Sequence, residues 1–252
     1  MLAVQALFFA DGGLMALGCN IFNLGFFPCF VAYPLIYKNI AGTTLSERRL
    51  FAAAIISAIL GLQLGAFSVV LQTLISGVTE LPFITFVLMM QPIHLAIGLV
   101  EGLATSAVVI FVWKARPDII KAVSTVAPGG NRSLRKVIIG FLAAAVVTGG
   151  VLSWFASSNP DGLEWAMFKT IGTDNLDTPQ TEMHATLAHV QEKTALLPDY
   201  GFQSKNPEPA EAPKPEPAMD TGKTVSGLVG GVLTLLLAGL LGFALKRRKK
   251  KY

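Results

Sequence analysis

Long apolar runs without charged residues alternate with short polar segments along most of the chain. Residues 50–77, 137–156 and 225–245 contain no Asp, Glu, Lys or Arg. A helix of about 20 apolar residues crosses the hydrocarbon core of a bilayer, which is about 30 Å thick. The pattern therefore predicts five full transmembrane helices and one apolar segment of half that length. The half-length segment is 1–10, and the full spans are 18–37, 50–77, 93–113, 137–156 and 225–245.

Helices are predicted for these spans because backbone groups inside hydrocarbon can be satisfied only in helices or closed barrels. The two-residue alternation of barrel strands is absent from the sequence. The predicted fold class is all-α: a polytopic helical membrane protein with about five full transmembrane helices plus a partial N-terminal one. We expect a turn at Asp11-Gly12-Gly13. We also expect Pro92 to divide residues 82–113 into a short interfacial or re-entrant piece and a full span.

The distribution of Lys and Arg predicts how the chain is oriented. Bases concentrate in residues 38–49, in residues 114–136 and in the C-terminal run 246–251. Segments rich in Lys and Arg stay on the cytoplasmic side of a membrane. Residues 157–223 instead carry eleven acidic residues and five lysines. We therefore expect a multi-pass protein of a bacterial or archaeal cell (inner) membrane, with a cytoplasmic C-terminus and an extracytoplasmic loop at 157–223.

Composition and motifs argue against a soluble domain and against an enzyme. The 252 residues are 52% hydrophobic and 14% charged, whereas soluble domains carry about 25% charged residues. The sequence has no P-loop, no H-E-x-x-H, no C-x-x-C and no G-x-S-x-G motif. Cys19 and Cys29 lie in one predicted helix about 15 Å apart along its axis, too far for a disulfide bond between them.

Four polar residues in the predicted spans are candidates for a polar path or for the bundle interior. His94 and Glu101 are seven residues apart, which places them on nearly one helix face and about 10.5 Å apart along the axis. They are too far apart to hold one ion together, but both could line one polar interior. Asn20 and Asn23 form a similar pair one turn apart. Hydrogen bonding between helices, or anchoring of a loop, would also explain all four residues.

Three stretches resemble a family of membrane transport proteins and its companion. Residues 4–23, VQALFFADGGLMALGCNIFN, and residues 94–102, HLAIGLVEG, resemble the CbiM/NikM family. Members of that family are substrate-specific subunits of energy-coupling-factor (ECF) transporters for cobalt and nickel. Residues 160–165, PDGLEW, resemble the signature of the small CbiN/NikN companion, called the PDGLE domain. Residues 197–200, LPDY, fit the end of that companion's exported loop.

The resemblance implies a fusion of the two proteins. Residues 1–136 would be a partial CbiM/NikM-like membrane domain. Residues 137–252 would be a CbiN/NikN-like PDGLE domain, with two transmembrane helices flanking the exported loop. A Pro-rich spacer at about 204–222 lies in that loop. Its composition favours an extended, solvated chain.

The function implied by the resemblance is substrate capture for an ATP-driven uptake transporter of Co²⁺ or Ni²⁺. Such a transporter would serve cobalamin biosynthesis or nickel enzymes. The metal would be the transported substrate, with no permanently bound cofactor. Because the chain has no P-loop, the expected partners are a separate transmembrane coupling subunit, cytoplasmic ATPase subunits and the lipid bilayer. No nucleic acid is expected.

The companion motif also predicts local structure, because its residue types suit the start of a helix. Asn159 can cap the helix and Pro160 suits its first position. Asp161 and Glu164 favour the positive end of the helix dipole. The motif residues are Pro160, Asp161, Gly162, Leu163 and Glu164.

The sequence departs from the family at its first residues. Family members begin with Met-His-Ile-Pro, whose terminal amine and histidine hold the metal. Residue 2 here is Leu2, and no histidine precedes His94. We therefore assign no metal ligand, expect the isolated chain to bind Ni²⁺ or Co²⁺ weakly, and expect upstream helices to be missing. The alternative function is a truncated, non-transporting membrane assembly module that lacks the metal site.

Overall fold

A computed structural model describes residues 1–77, 81–117, 120, 134–155, 159–173, 182–202 and 221–249. Nearly all of the predicted Pro-rich spacer lies outside these residues, as does the middle of the basic segment 114–136. The described residues are mostly helical and include no strand. The predicted all-α fold class is confirmed.

The helices follow the order of the predicted apolar segments. Helix α2 continues directly into a π-helix and then into the short helix α3. Two short 3₁₀ turns, Leu152–Phe155 and Pro198–Tyr200, lie between longer helices. The elements are α1 Leu2–Phe8, α2 Gly13–Ile21, the π-helix Phe22–Tyr37, α3 Lys38–Ala41, α4 Glu47–Ser76, α5 Phe83–Ala115, α6 Leu134–Gly150, α7 Gly162–Ile171, α8 Glu182–Thr194 and α9 Thr221–Lys249.

Four helices of the described chain are long and apolar enough to cross a membrane. They are Gly13–Ala41, Glu47–Ser76, Phe83–Ala115 and Thr221–Lys246. The span predicted at 137–156 is shorter than expected, since its apolar helical part is Val137–Gly150. The α-helix ends there, and the Ser153 hydroxyl donates a hydrogen bond of 2.8 Å to the main-chain oxygen of Gly149. That bond satisfies one of the carbonyl groups that a helix end leaves free.

The predicted division at Pro92 is wrong, because α5 runs through this proline without a break. Pro92 has no N–H to donate to the preceding turn, but its side chain lies on the exposed side of α5. Met90 before it and Gly98 after it are both buried in contacts with α4. Because neighbouring helices can support the backbone around a proline, α5 stays continuous.

The turn predicted between α1 and α2 is confirmed. Ala10, Gly12 and Gly13 have φ angles of 56°, 69° and 65°. Glycine adopts this left-handed conformation readily, whereas alanine adopts it rarely. The Gly12-Gly13 pair therefore allows the chain to reverse sharply between two helices.

The chain folds as two compact units. Unit 1 contains Met1–Leu17, Ile138–Ser158 and Gln180–Tyr252. Unit 2 contains Gly18–Val137 and Asn159–Pro179. Unit 2 thus joins α4, α5 and the π-helix with α7, and unit 1 joins α1 with α8, α9 and most of α6.

Small residues allow α4 and α5 to pack closely in unit 2. A Cβ atom added at Gly102 would lie 2.7 Å from the Cα of Ile55, and one added at Gly98 would lie 3.0 Å from the Cα of Ile59. Ser106, one turn beyond Gly102, is 2% exposed. These small residues recur every fourth position, a spacing that suits close packing of membrane helices. The Gly98–Gly102–Ser106 seam fixes which side of α5 faces α4.

The π-helix packs on another side of α4 in the same way. A Cβ atom at Gly65 would lie 2.6 Å from the main-chain oxygen of Asn23. One turn away, a Cβ atom at Gly61 would lie 3.5 Å from the Cβ of Ala32 and from Pro28. The two glycines therefore set the distance between the π-helix and α4.

One end of the α4–α5 pair is marked by charged and aromatic side chains. The Ser46 hydroxyl caps α4 by accepting a hydrogen bond from the Arg49 N–H. Glu47 at the start of α4 pairs with Lys114 at the end of α5, with 2.7 Å between Oε1 and Nζ. Trp113 packs beside this pair against the buried Leu50. An exposed pair of this kind adds little stability, but it shows that the two helix ends lie level.

Candidate functional site

A buried amide pair joins the π-helix to α4 in unit 2. Asn23 Nδ2 donates to Gln72 Oε1 at 3.1 Å, and Gln72 Nε2 donates back to Asn23 Oδ1 at 3.0 Å. Gln72 Nε2 also donates to Ser68 Oγ at 3.1 Å. Asn23 and Ser68 are 3% and 8% exposed. Buried polar groups need such partners, so these three side chains form a satisfied polar layer between the helices.

A second polar contact lies nearer the middle of α4, about 13 Å from Gln72 along the helix axis. Gln63 Nε2 donates to the main-chain oxygen of Gln91 at 2.8 Å. Gln63 Oε1 is buried and has no hydrogen-bond partner among the described residues. A buried acceptor without a partner costs about 1–3 kcal/mol. This oxygen is therefore available to a donor that enters unit 2, such as a water molecule.

His94 follows Gln91 by one turn and lies directly beneath α7. Its Nδ1 is 2.8 Å from the main-chain oxygen of Met90, where the ring nitrogen donates. In a neutral imidazole the other nitrogen, Nε2, is then the acceptor. A Cβ atom at Gly162 would lie 3.1 Å from His94 Cε1 and 3.4 Å from Nε2. Glycine at position 162 thus allows the start of α7 to rest on the imidazole ring.

The predicted N-cap of α7 is wrong. The N-cap residue is Asp161, not Asn159, and Pro160 precedes the cap rather than occupying the first helical position. Asp161 Oδ1 accepts hydrogen bonds of 2.8 Å from both the Leu163 and the Glu164 N–H groups. Glu164 Oε2 accepts from the Asp161 N–H at 3.1 Å. This reciprocal capping box satisfies more backbone donors than a cap at Asn159 would, because Glu164 stands three residues after Asp161.

One face of α7 is built into the core of unit 2. Ala166 is fully buried and Met167 is 8% exposed. Both pack in one hydrophobic cluster whose other buried members are Ala66 and Val70 of α4 and Phe86 and Met90 of α5. Leu163 and Trp165 pack around the same cluster. Helix α7 is therefore held on α4 and α5 by apolar burial and not by surface contacts alone.

The four polar candidates from the sequence end up in different surroundings. Asn23 belongs to the buried amide pair, and His94 lies beneath α7. Asn20 is half-buried, and no hydrogen bond of its side chain occurs within the described structure. Glu101 is exposed on α5. The interpretation of these residues as a polar path stays a prediction.

No conventional metal centre occurs among the described residues. No group of three or more His, Cys, Asp or Glu side chains there is close enough to hold a metal ion. Cys19 and Cys29 are both free and exposed. That this chain provides no metal ligand remains a prediction.

Unit 1 contains a polar cluster that the sequence did not predict. The Tyr200 hydroxyl donates a short hydrogen bond to Asp11 Oδ2. Gln5 Nε2 donates to the same carboxylate oxygen at 3.1 Å and to the Tyr200 hydroxyl at 3.3 Å. Burial raises the pKa of Tyr200 to about 12, and the hydrogen bond to Asp11 adds to the effect. The signals for this cluster were the turn at Asp11 and the LPDY stretch, but their contact is not visible from the sequence.

The backbone ties the same two segments of unit 1 together. The Leu197 N–H donates to the main-chain oxygen of Phe8 at 3.1 Å, and the Asp199 N–H donates to that of Phe9 at 2.9 Å. The rings of Phe9 and Tyr200 stack with their centroids 5.1 Å apart. Asp199 and Tyr200 have φ angles of 50° and 60°, which is costly for residues other than glycine. We call residues 5–11 and 197–200 together the clasp.

Gln191 of α8 extends the clasp to the start of α2. Its Oε1 accepts a 2.8 Å hydrogen bond from the Leu14 N–H. Its Nε2 donates to the main-chain oxygen of Ala10 at 3.3 Å. One side chain thus satisfies groups on both sides of the turn at residues 11–13, as such orphan backbone groups require.

The chain matches two protein families, one after the other. Residues 1–119 match the family described as the cobalt uptake substrate-specific transmembrane region. Residues 135–247 match the PDGLE domain. No solved structure matches the chain significantly.

Three curated relatives illustrate the similarity. A protein named "Putative fused nickel transport protein NikMN", from Archaeoglobus fulgidus, is 29% identical over 250 residues, which cover 98% of this chain and 69% of the relative. The cobalt transport protein CbiM of Sorangium cellulosum is 32% identical over 52% of this chain and 59% of the relative. CbiM of Geobacter sulfurreducens is 29% identical over 51% of this chain and 37% of the relative. The chain thus spans about two thirds of the first relative's length and less of the other two. All three are named as transport proteins and none as an enzyme.

Proposed function

Because residues 1–119 belong to the cobalt uptake substrate-specific transmembrane family and residues 135–247 are a PDGLE domain, we propose that this chain captures Co²⁺ or Ni²⁺ for uptake across the cell membrane. It would do so as one subunit of an ATP-driven ECF transporter. The fused NikMN relative, aligned over 98% of this chain, supports the combination of both parts in one polypeptide.

The observation that carries the proposal is that α7, the helix that begins in the PDGLE motif, packs against the membrane helices α4 and α5. The first residue of α7, Gly162, contacts His94 and Ile97 of α5. His94 and Ile97 lie in the HLAIGLVEG stretch that resembles the capture family. The two parts of the chain thus form one hydrophobic core around Met90 and Met167. A companion built into the capture bundle is expected to act on the same substrate.

Helix lengths support an extracytoplasmic position for α7. Helix α5 has 33 residues and is therefore about 50 Å long, roughly 20 Å longer than the hydrocarbon core. Trp113 and Lys114 suit one membrane interface. If they lie at the cytoplasmic face, the hydrocarbon ends near His94, and residues 83–93 extend beyond it. The amide pair and α7 would then form the outer end of unit 2, where a metal ion arrives.

Transport would need energy that this chain does not supply. The sequence has no P-loop, so ATP would be hydrolysed by cytoplasmic subunits and the change transmitted by a transmembrane coupling subunit. The metal ion is the substrate in this scheme. The described residues offer polar contacts along α4 and α5 but no ligand cluster, and we assign no residue to direct metal coordination.

The test is metal accumulation by cells that lack their own nickel and cobalt uptake systems. The protein is expressed from its own gene together with the coupling subunit and ATPases, and radioactive Ni²⁺ or Co²⁺ taken up is counted. We expect uptake that disappears when the ATPase P-loop lysine is replaced, and competition between the two metals identifies the preferred one, with nickel slightly favoured. Uptake no higher than in cells without the chain would contradict the proposal and favour a non-transporting assembly module.

A further inference from the structure

The segment Phe22–Tyr37 is a π-helix of 16 residues inside an apolar membrane span. In this register each N–H bonds the carbonyl five residues earlier, and such helices mostly occur as single turns at functional sites. The Lys38 N–H still donates to the main-chain oxygen of Tyr33, five residues before it. The rings of Phe22 and Phe27 meet edge to face with centroids 5.4 Å apart. Residues five apart lie about 140° apart around an α-helix, so this contact also indicates the wider turn.

Two prolines explain why this segment is not an α-helix. Pro28 and Pro34 both lie inside it. In an α-helix a proline ring clashes with the carbonyl four residues earlier and leaves that carbonyl without its N–H donor. The carbonyls concerned are those of Leu24 and Phe30, and a wider turn moves them away from the rings. Because the helix is in the α register on both sides, in α2 and α3, replacing a proline by alanine should favour the α register here too.

The contacts of the π-helix with α4 depend on its register. Pro28 lies against Gly61 of α4. Five residues before Pro28, the Asn23 amide meets Gln72 in the buried pair. An α-helix turns by about 100° per residue and the wider helix by about 80°. If residues 22–27 changed to the α register with Pro28 in place, Asn23 would rotate by about 100° around the helix axis and the pair would open.

Opening the pair would free two amide oxygens inside unit 2. Asn23 Oδ1 and Gln72 Oε1 each accept a hydrogen bond from the other side chain in the π register. Buried amide groups that lose such a partner need another one. The water molecules around a divalent cation can donate hydrogen bonds to both oxygens. An ion that makes these contacts only when the pair is open would shift the segment towards the α register.

We propose that the π-helix is a two-state element, in which the π register closes the Asn23–Gln72 pair and the α register opens it to a hydrated metal ion. This inference rests on the proposed function and adds a conformational step at the polar layer between the π-helix and α4. The prolines keep the segment in the closed form until the ion binds. The energy of metal binding is then partly spent on the change of register.

The register is measured with a short reagent that cross-links two thiols. Native Cys29 provides one thiol, while Cys19 and any cysteine outside residues 1–252 are replaced by serine. Leu24→Cys places the second thiol five residues away, which is near in the π register and about 140° away around an α-helix. Gly25→Cys places it four residues away, which is near in both registers, and is the matched control. Leu24 and Cys29 are exposed, and a Cβ atom at Gly25 meets nothing within 4 Å among the described residues.

The cross-linking is carried out on the metal-free protein expressed from its own gene. Adding Pro28→Ala should lower the yield of the Leu24→Cys pair relative to the Gly25→Cys pair at least about five-fold. Pro34→Ala should act in the same direction. Pro92→Ala replaces a proline of the α-helix α5 and should leave the ratio unchanged. A ratio that neither Pro28→Ala nor Pro34→Ala changes would overturn the inference.

Metal affinity tests whether the register and the ion are linked. An ion that needs the open form binds more tightly when that form is populated in advance, so Pro28→Ala should bind Ni²⁺ at least about three-fold more tightly than wild type. The measurement is isothermal titration of the protein with its native cysteines, and Pro92→Ala should bind like wild type. Equal or weaker binding by Pro28→Ala would overturn the inference. If wild type accumulates metal in cells while Pro28→Ala changes neither readout, only the inference fails; if wild type accumulates none, the proposed function fails.

Discussion

Replacing Gly65 by alanine is expected to force the π-helix and α4 apart. The added Cβ would lie 2.6 Å from the main-chain oxygen of Asn23. An ordinary contact between these atoms is at least about 3.4 Å, so the two backbones must separate by about 0.8 Å. No side-chain rotation relieves the clash, because the α4 backbone fixes the position of the Cβ atom and the oxygen belongs to the main chain of Asn23.

The same displacement breaks the amide pair beside Gly65. The two hydrogen bonds between Asn23 and Gln72 are 3.1 Å and 3.0 Å long, and a further 0.8 Å would take them beyond hydrogen-bonding distance. Overpacking costs about 1–3 kcal/mol, and hydrogen bonds between membrane helices contribute about 0.6 kcal/mol each. We therefore expect Gly65→Ala to lower the free energy of unfolding by about 2–4 kcal/mol.

The assay is reversible unfolding of the purified chain in mixed micelles, followed by circular dichroism. Gly25→Ala is the matched control, since Gly25 lies in the π-helix and an added Cβ there meets nothing within 4 Å. The control should keep or slightly raise stability, because alanine favours helices over glycine by up to about 1 kcal/mol. If Gly65→Ala were as stable as Gly25→Ala, the close contact between the π-helix and α4 would be refuted.

Three further predictions concern the position of α7, the pH dependence of the clasp and metal binding. Gly162→Val should displace α7 from His94 and lower the yield of a disulfide cross-link engineered between α7 and α5, and an unchanged yield would count against the contact. Since the pKa of Tyr200 is raised to about 12, the clasp should be fully stable below the ordinary tyrosine pKa of about 10 and weaken as pH rises through 12. The variant Tyr200→Phe should not show this loss of stability at alkaline pH. If the variant loses stability in the same pH range, another group causes the effect. Isothermal titration of residues 1–252 with Ni²⁺ or Co²⁺ should show weak binding, and stoichiometric tight binding would mean that these residues contain an unrecognised site.

The membrane helices could be predicted because their signal is local. An uncharged stretch of about 20 residues has few alternatives to a transmembrane helix, and two such stretches, 50–76 and 225–245, lie within α4 and α9. The effect of Pro92 could not be predicted in the same way. It depends on buried contacts of Met90 and Gly98 with α4, which are distant in sequence.

The contacts of the candidate site depended on tertiary structure to different degrees. The sequence identified Asn23 as a polar candidate, but its partner Gln72 is 49 residues away. The residue types before α7 suit a cap at either Asn159 or Asp161, and the three-residue spacing of Asp161 and Glu164 is the signal that favours Asp161. The contact of Asp11 with Tyr200 joins residues 189 positions apart, and no local pattern indicates it.

The most direct test of the central claim is metal accumulation in proteoliposomes made from purified components. The liposomes contain this chain expressed from its own gene, alone or with its coupling subunit and ATPases, and ATP is enclosed on the side of the ATPases. We predict that only the complete assembly accumulates radioactive Ni²⁺ or Co²⁺, and only with hydrolysable ATP. Accumulation by the chain alone, or equal accumulation by an assembly that lacks the chain, would contradict its role as the capture subunit.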